Sequence, residues 1–160
     1  FVATPAQVVG FERRLLQRSA SEPPGVVSAL MAAVLEQRGD AGLTWLEQHY
    51  LQQADRTDGE VQAALLALRV HATDGQRIGR DAATRALRHF VKAQPTRAGF
   101  AASDLGDWGR WDFVPAFEQA LDTDRPQVFA SRYAMVLYLL RNPTPEAKAA
   151  LERLRAKGRL

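Results

Sequence analysis

Pairs of alanines four residues apart, Ala29 with Ala33, Ala63 with Ala67, Ala98 with Ala102 and Ala130 with Ala134, recur along the chain at separations of 34, 35 and 32 residues. Small side chains at i and i+4 share one helix face and let a neighbouring helix come close. A period of this length matches a helix, a turn and a second helix. One such hairpin cannot bury its apolar face alone, so a chain with this period is constrained to stack each hairpin on the next. Strand signals do not compete: no alternating β-branched run of useful length occurs, and the valines sit in Ala/Leu-rich stretches with helical spacing. The expected fold is all-α, an α-solenoid of about four antiparallel helix hairpins.

Prolines, glycines and capping residues mark the expected helices. The first follows Thr4-Pro5 and runs to about Arg18, with Val8, Phe11 and Leu15 on one buried face. Ser19 to Gly25, containing Pro23-Pro24-Gly25, reads as a linker that can set residues 1–18 apart within one domain spanning 1–160. Helices over about Val26–Gln37, Asp40–Ala54 and Glu60–Ala72 follow, the second turning Leu43, Leu46 and Tyr50 inward near Trp45. The next covers Arg80–Lys92 with Ala83, Leu87, Phe90 and Val91 on its apolar side, and another starts at Pro95. Beyond residues 101–117 one helix ends near Asp122, a longer one runs from Pro126 to about Leu140, and Pro145 opens a last one reaching Ala156.

Residues 101–117 hold a dense set of Asp, Gly and Trp. Gly106 and Gly109 are placed to turn a corner, Asp107 and Asp112 to accept backbone N–H bonds, and Pro115 to sit in the first turn of the next helix. Trp108 and Trp111 would pin the two helices, Trp111 being the deeper, with Trp111→Ala costing about 3–5 kcal/mol. Asp104, Asp107 and Asp112 are the nearest thing to a carboxylate cluster, but the spacing of a dedicated Ca²⁺ loop is missing.

The segment 102–140 resembles the HEAT-repeat pattern through Leu105-Gly106-Asp107, Val114-Pro115, Phe117, Leu121, Asp124, Pro126, Val128 and the spaced Ala130, Ala134 and Leu137. One departure is Phe129, where the pattern commonly has Arg. The end of the chain resembles exported bacterial HEAT-like proteins without an assigned activity, through Trp108, Arg110-Trp111-Asp112, Arg132-Tyr133 and Pro145-Glu146-Ala147. The resemblance implies a helical superhelix that acts as a non-catalytic scaffold, holding a protein partner along its surface. Some HEAT-like folds bind DNA, which makes nucleic acid the alternative partner.

Chemistry-bearing motifs are scarce. The chain has no cysteine, no Gly-x-Ser-x-Gly, no phosphate-cradling Gly loop and no His-x-x-x-His. His49, His71 and His89 fall on different helices and read as surface or half-buried side chains. No catalytic residue, metal or cofactor is expected. The best binding feature is basic: residues 1–75 carry 6 Lys/Arg against 9 Asp/Glu, a net −3, while residues 76–160 carry 15 against 9, a net +6. Arg85, Arg88 and Lys92 fall at i, i+3 and i+7, with Arg77, Arg80 and Arg97 in the flanking loops, and could meet phosphates or an acidic protein. The plainer reading is a solvated Arg face with Asp81 paired to Arg85. The longest apolar runs are too short to span a bilayer. A start at Phe1 fits an exported protein with its signal removed slightly better than a cytoplasmic one.

Overall fold

The computed structural model describes residues 3–74, 77–124 and 127–160, and only the backbone of Arg18 and Asp74. Among these residues there is no strand. The α-helices are α1 Pro5–Arg18, α2 Pro24–Arg38, α3 Asp40–Leu46, α4 Asp58–Asp74, α5 Arg80–Ala93, α6 Ala102–Asp107, α7 Val114–Leu121, α8 Phe129–Arg141 and α9 Pro145–Ala156. A 3₁₀ turn covers Ser19–Ser21, a π-helical stretch over Glu47–Leu51 continues α3, and a 3₁₀ segment over Pro95–Ala101 leads into α6. The chain divides into two compact units, 1–86 and 87–160, with α5 shared between them.

In the first unit α1 starts as its sequence requires: the Thr4 hydroxyl accepts from the Gln7 amide and the Gln7 side chain accepts from the Thr4 amide. Val8 and Leu15 are buried while Val9 and Leu16, one position on, face solvent. The stretch expected as a linker is mostly helix. Pro24 and Gly25 lie in the first turn of α2, because a proline there lacks only an N–H that no helix-start residue could use. The third helix ends at Leu51, short of Ala54. α1 and α2 are bound by Arg38 to Glu12 at 2.8 Å. α4 opens with a reciprocal cap in which the Glu60 carboxylate accepts from the Thr57 amide at 2.8 Å and the Thr57 hydroxyl accepts from the Glu60 amide at 3.2 Å.

The second unit repeats one register. Glu118 pairs with Arg153, Asp122 with Lys157 and Asp124 with Arg159, each across 35 residues. A constant offset with both partners ascending means that α7 and α9 run parallel. Gly99 bonds Ser131 and Asp107 bonds Arg141, offsets of 32 and 34 residues, so the segment 95–107 runs parallel to α8 in the same way. The close approach is made by Gly99, not by the alanine pairs. A Cβ added to Gly99 would lie 1.8 Å from the Ser131 carbonyl oxygen. Ala98 and Ala102 are buried, but α8 turns Ser131, Met135, Tyr138 and Leu139 inward and leaves Ala130 exposed. The expected start of this helix at Pro126 lies outside the described residues.

The 101–117 corner is built differently from its sequence reading. Gly109 does turn the chain, at φ +67°. Gly106 lies inside α6 with the Trp111 ring against it, so it is a surface for that ring and not part of the turn. Asp107 and Asp112 cap nothing: α7 begins after Phe113 with no side-chain cap, Asp107 is taken by Arg141 at 3.1 Å, and Asp112 by Arg88 at 2.6 Å. Tyr138 of α8 holds the corner instead. Its hydroxyl donates to the Arg110 carbonyl and accepts from the Phe113 amide at 3.3 Å, while its ring meets Trp111 at 5.3 Å and Phe117 edge-on at 4.8 Å. Asn142 adds a bond from its amide to the Trp111 carbonyl at 3.1 Å. Burial is the main cause that pushes the Tyr138 phenol up to about 12, with the nearby Asp112 charge adding to it.

Trp108 and Trp111 are both half-buried, whereas Phe113 and Phe117 are sealed. The cost expected for Trp111 therefore moves to Phe117. Phe117→Ala should lower unfolding free energy by about 3–5 kcal/mol and Trp111→Ala by about 1–2 kcal/mol, because the penalty follows the surface and cavity actually enclosed. Urea unfolding of the two variants checks the order, and equal losses would contradict it.

Candidate functional site

A groove of about 890 Å³ lies in the second unit. One wall is the end of α5 and the start of the 3₁₀ segment, carrying Arg88, His89, Lys92, Pro95 and Thr96; the other is α7, carrying Pro115, Ala116 and Gln119. The α5 wall is positioned by the amphipathic pattern read from sequence, in which Leu87, Phe90 and Val91 go to the core and Arg88 and Lys92 are left outside. Pro115 occupies the first turn of α7, as expected, and becomes part of the apolar floor with Phe113.

The charges in this groove are unequally committed. The Arg88 guanidinium lies 4.4 Å above the Phe113 ring centroid and pairs with Asp112. Asp122, at the far end, is held by Lys157 and, at 3.5 Å, by Arg159; the bond from Lys157 is the first cause of its carboxyl lying below the usual carboxylate range. Lys92 and Gln119 are exposed and, among the described residues, neither makes an ion pair or a hydrogen bond. One ammonium and one amide thus stand on the two walls over an apolar floor.

The other basic residues singled out in sequence are spread between the units. Arg77, Arg80 and Arg85 belong to the first, and Arg88, Lys92 and Arg97 to the second. Arg80 donates to the Ala72 carbonyl at 3.4 Å and Arg97 to the Gln94 side chain at 2.9 Å. Asp104, Asp107 and Asp112 do not gather: Asp104 is buried and the other two go to separate arginines. Among the described residues no three His, Asp or Glu side chains are placed to hold a metal ion, and no helix is long and apolar enough to cross a membrane.

A second hollow, of about 420 Å³, lies in the first unit and is lined by Phe11, Ala29, Leu30, Ala33 and His71 among others. His71 is buried, not a surface or half-buried side chain as the sequence suggested. Its Nε2 lies 3.0 Å from the Ala32 carbonyl, to which only an N–H can donate, so Nε2 carries a proton and Nδ1 is the second ring nitrogen. That nitrogen is sealed from solvent and lies 3.7 Å from the Glu36 carboxylate.

Several residues that shape these sites carry weak signals in sequence. Thr57 and Glu60 form a Thr-x-x-Glu box, a local signal passed over when the helix is started at Glu60. Tyr138, Asn142, Gly99 and Gln119 act through contacts made across many residues or not at all within the chain, and no local pattern marks them. No protein-family model, no curated protein and no solved structure matches this chain.

Proposed function

We propose that the chain is a non-catalytic protein-binding module of stacked, HEAT-type helix hairpins, and that the groove of its second unit takes an acidic, partly apolar segment of a protein partner. The observation that carries this is the pair of uncommitted polar groups, Lys92 and Gln119, standing over the apolar floor of Pro95, Phe113 and Pro115. An extended peptide offers what these groups lack: a carboxylate for the ammonium, a main-chain amide for the Gln119 side chain, and apolar side chains for the floor. The parallel registers of 32 to 35 residues support the hairpin stack, since stacked repeats bring equivalent helices side by side at the repeat length. The nucleic-acid reading has less behind it, because Arg80, Arg88 and Arg97 are engaged within the protein and, among the described residues, no exposed Phe, Tyr or Trp lines the groove.

Fluorescence anisotropy tests this with a labelled peptide alternating Glu with Leu or Phe, its Lys counterpart, and a mixed DNA duplex. The acidic peptide should bind and the basic one should not, and Lys92→Glu should weaken binding by about tenfold or more without changing the melting temperature, since Lys92 is exposed. Equal binding of the acidic and basic peptides, or none, rejects the groove as an acidic-peptide site. Duplex binding that falls steeply with salt would replace it with the nucleic-acid reading.

A further inference from the structure

The outward side of α8 presents Phe129, Tyr133, Val136 and Leu140, with Leu137 alongside. Steps of four, three and four residues are the 3.5-residue period of a helix that meets another helix along its length. Among the described residues most of this seam is left uncovered, with Val136 half-buried between more open neighbours: Phe129 is 82% exposed, Leu140 62% and Tyr133 57%. The opposite side of α8, through Ser131, Met135, Tyr138 and Leu139, already supplies the core. Phe129 and Tyr133 stack nearly parallel, 6.4 Å apart, at the start of the helix, and the leucines follow at its end.

We propose that the seam is covered by α8 of a second copy of this chain, running antiparallel about a two-fold axis. A two-fold contact requires a patch complementary to itself. Antiparallel pairing meets this by setting Phe129 of one copy against Leu140 of the other and Tyr133 against Val136, so that each flat ring packs on an aliphatic side chain. The charge pattern points the same way. The only charged residues of α8 are Arg132 and Arg141, with no acid on the helix, so a partner with charged seam residues would find no counter-charge. Both arginines lie off the seam and are engaged within the unit, Arg132 by Gln127 and the Arg159 carbonyl, Arg141 by Asp107. Two copies therefore join without bringing like charges together. The exposed parts of the two aromatics amount to roughly 250–300 Å² per copy. With the leucines the joint totals roughly 900–1,000 Å² over both copies, below the about 1,200 Å² of a lasting interface, so the dimer is reversible and set by concentration.

Sedimentation velocity on the full chain from about 10 μM to about 1 mM reads this directly, that range spanning the affinities of small interfaces. The sedimentation coefficient should rise from monomer towards dimer, and Phe129→Glu should hold it at the monomer value with an unchanged circular dichroism spectrum and melting temperature. The chain contains no cysteine, so introduced cysteines report orientation. An equimolar mixture of the Tyr133→Cys and Val136→Cys proteins should form a mixed interchain disulfide under mild oxidation, whereas Phe129→Cys alone should not. A monomer throughout the range, a dimer indifferent to Phe129→Glu, cross-linking through Phe129→Cys alone, or growth beyond the dimer would each overturn the proposal.

Discussion

Replacing Gly99 with Ala is expected to remove more than about 4 kcal/mol of stability, beyond the usual cost of an overpacked core, and to prevent folding of the second unit if its margin is smaller. The added Cβ would sit 1.8 Å from the Ser131 carbonyl oxygen, 2.5 Å from the carbonyl carbon and 2.7 Å from Cα. All three are main-chain atoms inside α8, so no side chain can rotate away and the whole helix must move. That movement also breaks the 2.9 Å bond from the Gly99 amide to the Ser131 hydroxyl, leaving both groups buried without a partner. Gly106→Ala is the matched control. Its new Cβ would meet the edge of the Trp111 ring at 3.6 Å, an ordinary contact, and it lies inside α6, where Ala is favoured over Gly by about 1 kcal/mol. Chemical unfolding should show a large loss for the first variant and little change or a small gain for the second. A Gly99→Ala protein with an unshifted midpoint would show that the two main chains do not touch there.

The second large effect is centred on Glu60, buried at the joint of the 3₁₀ turn, the π-helical stretch and α4. Burial by itself raises its pKa. The hydrogen bonds from the Ser19 hydroxyl and from the Thr57 amide and hydroxyl, with the Arg56 charge, outweigh that and leave the carboxyl below its usual value. Arg56, 3.2 Å from Glu60, also lies over the Tyr50 ring and donates to the His49 carbonyl, so one carboxylate organises three segments. Glu60→Ala should cost about 2–4 kcal/mol, because it strands the buried Ser19 hydroxyl and the half-buried Arg56 charge. Since the folded-state pKa lies below the unfolded value of about 4.3, ionised Glu60 favours the folded state above that pH, and the contribution disappears as the pH falls through the folded-state value. Glu118, whose pKa is lowered first by its bond from Arg153, acts in the same direction. Stability measured between about pH 7 and pH 2.5 should therefore decline on the acid side, and the decline should be shallower in Glu60→Gln. Identical slopes for the two proteins would place the acid sensitivity elsewhere.

The basic residues show how far a sequence-level site can be carried. Arg88 and Lys92 do line a groove, yet at Arg88 the charge is taken up by Asp112, 24 residues away, while Lys92 has no partner among the described residues. Spacing on a helix places two cations on one face, but it contains no information about which acid a later loop will bring. The same limit explains Asp107 and Asp112. Each stands where a cap is chemically sensible, and each is drawn off by an arginine that folding delivers from another helix.

What the sequence determined by itself is the set of helices and most of their starts: the Thr4 box, the Thr144 cap, and the prolines opening α1, α7 and α9. These rest on hydrogen bonds and steric limits within three or four residues, which local composition specifies. Tertiary structure decided which side of each helix is buried. Successive residues on a helix differ by about 100° in direction, so a shift of one position turns a different set inward. In α8 that choice buried Ser131 and Met135 in place of Ala130 and Ala134, and it was made by the contact with Gly99, 32 residues away. The face turned outward by the same choice, led by Phe129, is the one left for a second copy.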